Sequence, residues 1–413
     1  MRTFYSLGIL FYTIALNIVS VFNTKASLWV KGRNRLLYKI RQEVKSDNII
    51  WIHTASVGEF EQARPLIERI KTEMPSKKIL ITFFSPSGYE LRKNYELVDY
   101  IYYLPVDTKA NAKEFLDIVK PNMVFFVKYE FWFNFIREIN NRNIPLYLVS
   151  GIFRPKQHFF KWYGEWFRKH LQMFNYLFVQ DKSSADLLNS IGINNCSITG
   201  DTRFDRVNAV TLNPKKFECI QEFIKGSKVL LAGSTWAPDE DIILDYMKEF
   251  PDNMKLIIAP HEVTKSHINS IESTYKLYKP VKLSELEDGK KLDNNSLLIV
   301  DSVGKLAYLY QYTDIAYIGG GFGVGIHNIL EAACYAKPVI FGPNYQKFKE
   351  ARDLIELGGA FSVKNSNELK DVLNSLLKNN EILKAKNKVC FDYVKQNLGA
   401  TDKIFKYCFD SKK

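Results

Sequence analysis

Residues 48–73 have the sequence NIIWIHTASVGEFEQARPLIERIKTE. The apolar run 48–54 is continuous rather than alternating, which is typical of a strand buried on both faces of a parallel sheet. Beyond a polar loop, apolar residues recur at helical spacing, at Phe60, Ala63, Leu66, Ile67 and Ile70. The stretch therefore predicts a strand and a helix joined by the polar loop that runs from His53 to Glu59.

The same pattern repeats along the chain. Further strands are predicted at Ile79–Phe84, Met123–Val127, Pro145–Ser150, Tyr176–Gln180, Lys228–Ala232, Lys255–Ala259, Ser296–Val300, Ile315–Ile318 and Pro338–Phe341. A polar stretch around Pro214 interrupts the series and predicts a linker. Repeated β-α units on both sides of a linker predict an α/β fold of two Rossmann-like, doubly wound lobes facing a cleft, the architecture called GT-B.

The segment before these units differs in composition. Residues 4–22 carry no charge and are rich in Leu, Ile, Val and Phe, a length close to the minimum that spans a bilayer. Only Arg2 precedes this run, whereas seven Lys or Arg residues follow it between Lys25 and Lys45. This asymmetry predicts a membrane-anchor helix with the rest of the chain on the cytoplasmic side, next to anionic lipid. The alternative is a buried N-terminal helix.

These features give the predicted boundaries. They are a membrane anchor at 1–25, a first lobe at 26–206, a linker at 207–226, a second lobe at 227–390, and a C-terminal helix at 391–413 that we expect to pack back on the first lobe.

Charge and cysteine usage narrow the partners and the compartment. The chain of 413 residues has a formal net charge of +12, which favours anionic partners such as acidic lipid or a phosphorylated substrate. No nucleic-acid-binding motif is present, so nucleic acid is not expected among them. The five cysteines form no CxxC pair, which indicates a reducing compartment.

Two polar clusters follow predicted strands of the first lobe, where such sheets bind ligands, and a third, at Gly200–Asp205, lies near the end of that lobe. Glu59 follows the tight turn at Gly58, where the helix dipole favours an ionised carboxylate that suits a general base; an ordinary helix-start acid is the alternative. Lys128 suits an anionic group, or is simply a solvated strand end. Arg203 suits a carboxylate or phosphate across the cleft, or else forms a surface pair with an Asp.

The second lobe carries a glycine-rich loop, GGGFGVGIHN at 319–328, between a strand and a helix predicted at His327–Tyr335. Five glycines within seven residues allow the backbone to approach a phosphate, and the helix N-terminus adds N–H donors. Glu331, one turn into the helix, suits the hydroxyls of a ribose. Glycines needed only for tight packing are the alternative. The run Asp239-Glu240-Asp241 imitates a metal motif, but it follows Pro238 at a helix start, where acids cap the helix. No metal cofactor is expected.

Several of these motifs together resemble one family, the bacterial Kdo transferases (3-deoxy-D-manno-octulosonic acid transferases). The motifs are HTASVGE at 53–59, GDTRFD at 200–205, AGST at 232–235, DSVG at 301–304, the glycine-rich loop through Glu331, and Gly342-Pro343 followed by Phe348. The resemblance implies transfer of Kdo from CMP-Kdo to a glucosamine hydroxyl of a lipid A precursor, at the cytoplasmic face of the bacterial inner membrane. The first lobe then binds the acceptor and the second binds the donor.

The resemblance also implies residue roles. Glu59 matches the family's proton acceptor, and Arg203 stands where the family has a Lys that stabilises the transition state. The predicted catalytic set is Glu59, Arg203 and Lys128; the donor set is Ser234, Pro260, His261, Val303, Gly304, Lys305, Asn328, Ile329, Leu330 and Glu331; the acceptor set is Ser56, Gly58 and Glu130.

The chain departs from the family pattern at four places. Lys128 replaces an acid that the family has two residues before the Glu of its Glu-Leu-Trp segment, while Glu130 keeps that Glu. The usual Pro-Arg-His is Pro260-His261-Glu262, the glycine loop is one residue shorter, and the usual Asn-Pro-Leu-Glu begins Asn328-Ile329. The donor pocket is therefore expected to differ from the family's.

Three other functions fit the same sequence. The first is a GT-B transferase that uses a UDP- or GDP-sugar with a lipid or cell-wall acceptor. The second is a membrane protein that binds a nucleotide sugar without turnover. The third is a nucleotide-sugar epimerase of the same architecture, which would not need the anchor.

Overall fold

A computed structural model describes residues 1–249, Pro251 and 253–410, and the chain divides into two compact units. Unit 1 comprises Met1–Arg206 together with the chain from Leu398 onward, and unit 2 comprises Val207–Asn397.

The helices and strands of unit 1 alternate for most of its length. They are α1 (Arg2–Val19), α2 (Thr24–Lys31), α3 (Leu36–Glu43), β1 (Ile49–Thr54), α4 (Val57–Glu73), β2 (Lys78–Phe83), α5 (Pro86–Arg92), β3 (Tyr100–Tyr103), α6 (Lys109–Val119), β4 (Met123–Val127), α7 (Phe133–Asn141), β5 (Leu146–Gly151), α8 (Glu165–Leu171), β6 (Tyr176–Val179), α9 (Lys182–Asn189), β7 (Cys196–Ile198) and α10 (Thr202–Leu212), which runs into unit 2. After unit 2 the chain adds α20 (Ala400–Phe405) to unit 1.

In the described part of unit 1, seven parallel strands form one sheet in the order β3-β2-β1-β4-β5-β6-β7. Every residue of β1 is buried, as the continuous apolar run predicts. One core lies on each face of the sheet, the first around Trp51, Phe126 and Phe135 and the second around Phe60 and Phe125. Ile404 and Phe405 of α20 complete the second core, so α20 packs on unit 1, and residues 411–413 of the predicted C-terminal helix lie outside the described residues.

Unit 2 repeats the plan. Its elements are α11 (Glu218–Phe223), β8 (Lys228–Thr235), α12 (Ala237–Met247), β9 (Met254–Pro260), α13 (Lys265–Thr274), β10 (Val281–Lys282), α14 (Leu283–Glu287), β11 (Leu297–Ile299), α15 (Leu306–Leu309), β12 (Ile315–Ile318), α16 (Leu330–Ala333), β13 (Val339–Phe341), α17 (Lys349–Glu356), β14 (Ala360–Ser362), α18 (Ser366–Lys378) and α19 (Asn380–Gln396). Among the described residues, seven parallel strands follow the order β10-β11-β9-β8-β12-β13-β14. The predicted α/β class with two doubly wound lobes is confirmed.

Some elements differ from the prediction. The stretch 207–226, predicted to be a linker, contains the end of α10 and all of α11. The helix predicted at His327–Tyr335 is only the single turn α16, because the glycine loop and an irregular segment continue as far as Ile329. Glu331 therefore lies in the first turn rather than one turn in.

Helix α1 is the one helix in the described ranges long and apolar enough to cross a membrane. One face, which includes Tyr5 and Ile9, is partly covered, while the opposite face exposes Phe4, Leu10 and Phe11. The Tyr12 ring contacts Trp29 and Phe84. The helix therefore lies along unit 1 with an apolar face toward solvent, and it is not buried as the alternative interpretation required.

Candidate functional site

The strand order of unit 1 locates its expected ligand-binding edge. The chain runs outward from β1 to β3 on one side and from β4 to β7 on the other, so the order reverses between β1 and β4. Ligands of doubly wound sheets bind outside the carboxyl ends of the strands at this switch point. Ser56 and the first turn of α4, which contains Glu59, follow β1, and Lys128–Trp132 follow β4, so the fold brings two of the predicted clusters together.

Glu59 is a capping residue and also a buried acid. Its Oε2 accepts hydrogen bonds from the backbone N–H groups of Ala55 (2.6 Å) and Ser56 (3.0 Å), and it forms a capping box with Ser56. This is the helix-start role foreseen as the alternative. A capping acid is ordinarily exposed and ionised, whereas burial and the charge of Glu130 raise the pKa of Glu59 to about 7. Burial and Glu130 thus oppose the ionised form that the helix dipole favours.

Glu130 is held by an aromatic network. Its Oε2 accepts a hydrogen bond from Trp132 Nε1 (2.7 Å) and lies 3.1 Å from Nε2 of the buried His53. The other ring nitrogen of His53, Nδ1, lies 2.9 Å from Thr82 Oγ1. Neither His53 nor Trp132 is among the site residues predicted from sequence. The available signal was a histidine inside a continuous apolar strand, since a buried polar ring needs partners.

Lys128 occupies a strained position next to Glu59. Its φ is +69°, in the left-handed region that non-glycine residues rarely adopt, and Ser150 at the end of β5 has φ +51°. Such strain persists where the surrounding structure enforces it, and it concentrates at functional sites. The ammonium lowers the pKa of Glu59, opposing burial and Glu130. The solvated strand end foreseen as the alternative does not explain this conformation.

Arg203 pairs with a buried acid. Its Nε and Nη2 each lie 2.8 Å from Oδ2 of Asp201, whose Oδ1 accepts from Gln62 Nε2 (3.0 Å). Burial acts to raise the pKa of Asp201, but the Arg203 guanidinium outweighs it and lowers that pKa. The pair thus joins a buried carboxylate to a partly exposed guanidinium, and it is not a loose surface pair. Arg203 also acts on the pKa of Tyr129, as do Arg154 and Glu59, so these groups share one electrostatic environment.

Unit 2 has its own switch point, between β8 and β12. Ser234, the second-last residue of β8, lies at this point with φ +55°, and Gly319–Gly321 follow β12. A Cβ on Gly319 would overlap the carbonyl of Ser234, and one on Gly321 would lie 2.5 Å from the backbone nitrogen of Gly342. Tight packing, the alternative explanation for the glycines, therefore accounts for these two. Gly323 is different, because a Cβ there would meet nothing closer than 3.6 Å.

Asp239 holds the glycine loop in place. Its Oδ2 accepts from Gly320 N (2.9 Å) and from Trp236 N (3.0 Å), and its Oδ1 accepts from the Tyr317 hydroxyl (2.8 Å). The prediction that this acidic run is structural is confirmed for Asp239. In the part of the chain that the structure describes, no three His, Cys, Asp or Glu side chains group as metal ligands.

His261 belongs to an aromatic stack. Its ring lies 4.3 Å from that of His327 and 4.8 Å from that of Trp236. Burial and the neighbouring His261 lower the pKa of His327 to about 4. The three rings stack with interplanar angles of 21° for His261 on His327 and 30° for His261 on Trp236.

The other predicted donor residues have varied surroundings. Val303 is 83% exposed, Gly304 has φ +83°, and Lys305 Nζ pairs with Glu287 at 2.6 Å. Asn328 Nδ2 donates to Glu331 Oε1 (3.1 Å). The side chains of Ile329 and Leu330 are fully buried, so only their backbone atoms are able to meet a ligand.

Comparisons with known proteins agree with this picture. The family model described as 3-deoxy-D-manno-octulosonic-acid transferase (kdotransferase) matches residues 31–206. The 3-deoxy-D-manno-octulosonic acid transferase of Rickettsia prowazekii is 29% identical over 85% of this chain and 77% of its own length. The Aquifex aeolicus protein of the same name is 29% identical over 82% of this chain and 89% of its own. Among solved structures, UDP-GlcNAc 2-epimerase from Neisseria meningitidis superposes with a TM-score of 0.61, covering 88% of this chain and 100% of that one at 16% identity, which shows the fold alone. The resemblance to the Kdo transferases is confirmed.

Proposed function

We propose that this protein transfers Kdo from CMP-Kdo to a hydroxyl of a lipid A precursor, with inversion at the anomeric carbon. Its similarity to the Kdo transferases supports a glycosyltransferase of that kind. The observation that carries the proposal is Glu59, a buried carboxyl at the switch point of unit 1 whose pKa of about 7 suits a general base.

In this mechanism both hydrogen bonds to Glu59 end on Oε2, so Oε1 takes the acceptor proton. The acceptor oxygen then forms the new bond to the anomeric carbon, and CMP leaves with the electron pair of the broken bond. The cations Lys128 and Arg203 stabilise the negative charge that develops in the transition state as CMP leaves. Such electrostatic stabilisation is usually the largest single contribution to catalysis. Ser56, Gly58 and Glu130 contact the acceptor, and the donor set of unit 2 holds CMP. No step requires a metal ion.

Helix α1 attaches the enzyme to the inner membrane from the cytoplasmic side. Its solvent-facing apolar face suits the bilayer, and the basic residues that follow suit anionic lipid. Because its other face contacts unit 1, we propose that the helix lies in the interface rather than crossing the bilayer.

The test is a single-turnover and steady-state assay with detergent-solubilised protein, CMP-Kdo, a tetra-acylated lipid A precursor and a chelator, with product followed by mass. Wild type should form the Kdo-lipid, and excess CMP should inhibit more than UDP. Product from a UDP-sugar but not from CMP-Kdo would overturn the donor assignment, and CMP binding without any turnover would identify a binding protein. Activity that requires added Mg²⁺ would contradict the metal-free mechanism.

A further inference from the structure

Helix α1 is fixed to unit 1 at its N-terminal end by a specific contact. The Tyr5 hydroxyl donates to Oδ2 of the buried Asp107 (2.6 Å), and the two carboxylate oxygens of Asp107 also accept from the backbone N–H groups of Asn134 and Phe135. The Tyr5 ring packs edge-on against Phe133, at 5.0 Å. The start of α1 is therefore attached to the start of α7, beside the loop that carries Glu130.

A cavity of about 670 Å³ lies beneath this end of the helix. Tyr5 and Ile9 of α1 form one wall, and the aromatic rings of Phe131 and Phe133 form another. Its volume lies within the range of pockets that bury a small ligand, and its walls are mostly apolar as in such pockets. A tether with no other role does not need a cavity against the domain.

We propose that this cavity receives one acyl chain of the lipid acceptor, so that α1 is a wall of the acceptor site as well as a membrane attachment. The proposal rests on the function proposed above. It extends that function by naming the part of the acceptor that is recognised and the helix that recognises it.

Continuity with the catalytic cluster supports this occupant. Tyr129 and Glu130 line the cavity, and the charge of Glu130 also acts on Glu59. A chain seated between α1 and Phe131 would therefore leave its polar head group beside the proposed base.

Charge and the outer surface of α1 support the same occupant. Arg154 and Lys156 line the cavity and suit the phosphate of a phosphorylated lipid. On the outer face of the helix, Phe4 is 74% exposed and Phe11 is 67% exposed. An acyl chain could thus pass from the bilayer around one helix into the cavity without its whole length crossing water.

The test uses two tryptophan substitutions one residue apart. Ile9→Trp places a large ring in the cavity, and Leu10→Trp places the same ring on the exposed face. The probe is a tetra-acylated glucosamine disaccharide bisphosphate with a photoreactive group at the end of one acyl chain, and crosslinked peptides are mapped by mass spectrometry. KM values for the unmodified acceptor and for CMP-Kdo are measured on the same proteins.

In wild type and Leu10→Trp we expect crosslinks to α1 and to the peptide containing Phe131–Phe133. In Ile9→Trp these should be lost, and KM for the acylated acceptor should rise about tenfold with an unchanged KM for CMP-Kdo. Equal KM values for the two variants, or crosslinks confined to other peptides, would overturn the inference alone. Failure of wild type to form any product would overturn the proposed function, and this inference with it. An unchanged KM for CMP-Kdo also shows that Ile9→Trp is folded.

Discussion

Each of the two sheets has a switch point at the carboxyl ends of its strands, but the two switch points carry different chemical groups. In unit 1 the segments after β1 and β4 present side chains whose charges act on one another: Glu130 raises the pKa of Glu59 and Lys128 lowers it. In unit 2 the loop after β12 presents backbone, packed so closely that Gly319 and Gly321 have no room for a Cβ. One topology can therefore place either chemistry at its edge. Unit 1 should accordingly be sensitive to changes of charge, and unit 2 to changes of volume.

The largest expected effect is loss of catalysis in Glu59→Gln. The amide cannot accept the acceptor proton, so kcat should fall roughly 10²- to 10⁴-fold. Glutamine still fits a capping box, so the free energy of unfolding should change little. Glu68→Gln, on the same helix, is the control and should keep full activity. A stable Glu59→Gln protein with normal kcat would show that Glu59 is only a helix cap.

The second effect concerns volume in unit 2. Gly321→Ala should lower the free energy of unfolding by roughly 1–3 kcal/mol, because the new Cβ would lie 2.5 Å from the backbone of Gly342. Gly323→Ala in the same loop has open space and should be close to neutral. Chemical denaturation of both variants measures the difference. Equal stabilities would break the comparison, since packing would then not govern this loop.

The third effect tests the buried pair in unit 1. Asp201→Asn should lower the free energy of unfolding by about 1–3 kcal/mol at pH 7, because the neutral amide cannot form the charged bonds that the buried carboxylate accepts from Arg203. The pKa of Asp201 is lowered on folding, so this contribution is present at neutral pH and is lost as pH falls through the lowered pKa. The stability gap between wild type and variant should therefore close in acid. Asp186→Asn, whose pair with Lys182 is exposed, should change stability little at any pH.

The smallest expected effect is a shift of the kcat/KM pH profile, in opposite directions for two charge variants. The acidic limb of kcat/KM should rise through about pH 7 as Glu59 ionises. Glu130→Gln removes a like charge and should move the limb to lower pH. Lys128→Gly removes the opposing cation while tolerating the positive φ, and should move it to higher pH. Moving the pKa of Glu59 by one pH unit changes the rate on that limb about tenfold. A shift of the limb in the same direction for both variants would contradict the electrostatic model.

The prediction of strands from sequence succeeded for the sheet centres and failed at the edges. The predicted strands correspond to β1, β2, β4, β5 and β6 and to β8, β9, β11, β12 and β13. Those missed in the described residues are β3, β7, β10 and β14, which are the four sheet edges. Length does not separate the two groups, because the central strands β11 and β13 also have only three residues. Burial does: every residue of β11 and β13 is buried and apolar, whereas each edge strand is partly exposed and has a weaker apolar pattern.

The local apolar pattern and the order of the motifs were enough to predict the fold class, the loops at the carboxyl ends of the strands and the family resemblance. These features depend on residues that lie close together in the sequence. The state of each group in the site came from tertiary contacts alone. The pKa of Glu59 depends on burial and on Glu130, a residue distant in the chain. The role of His53 depends on Thr82 and Glu130, and the wall formed by Ile9 depends on where α1 packs. These are long-range contacts, and the strength of an electrostatic interaction depends on burial and distance, which no local pattern contains.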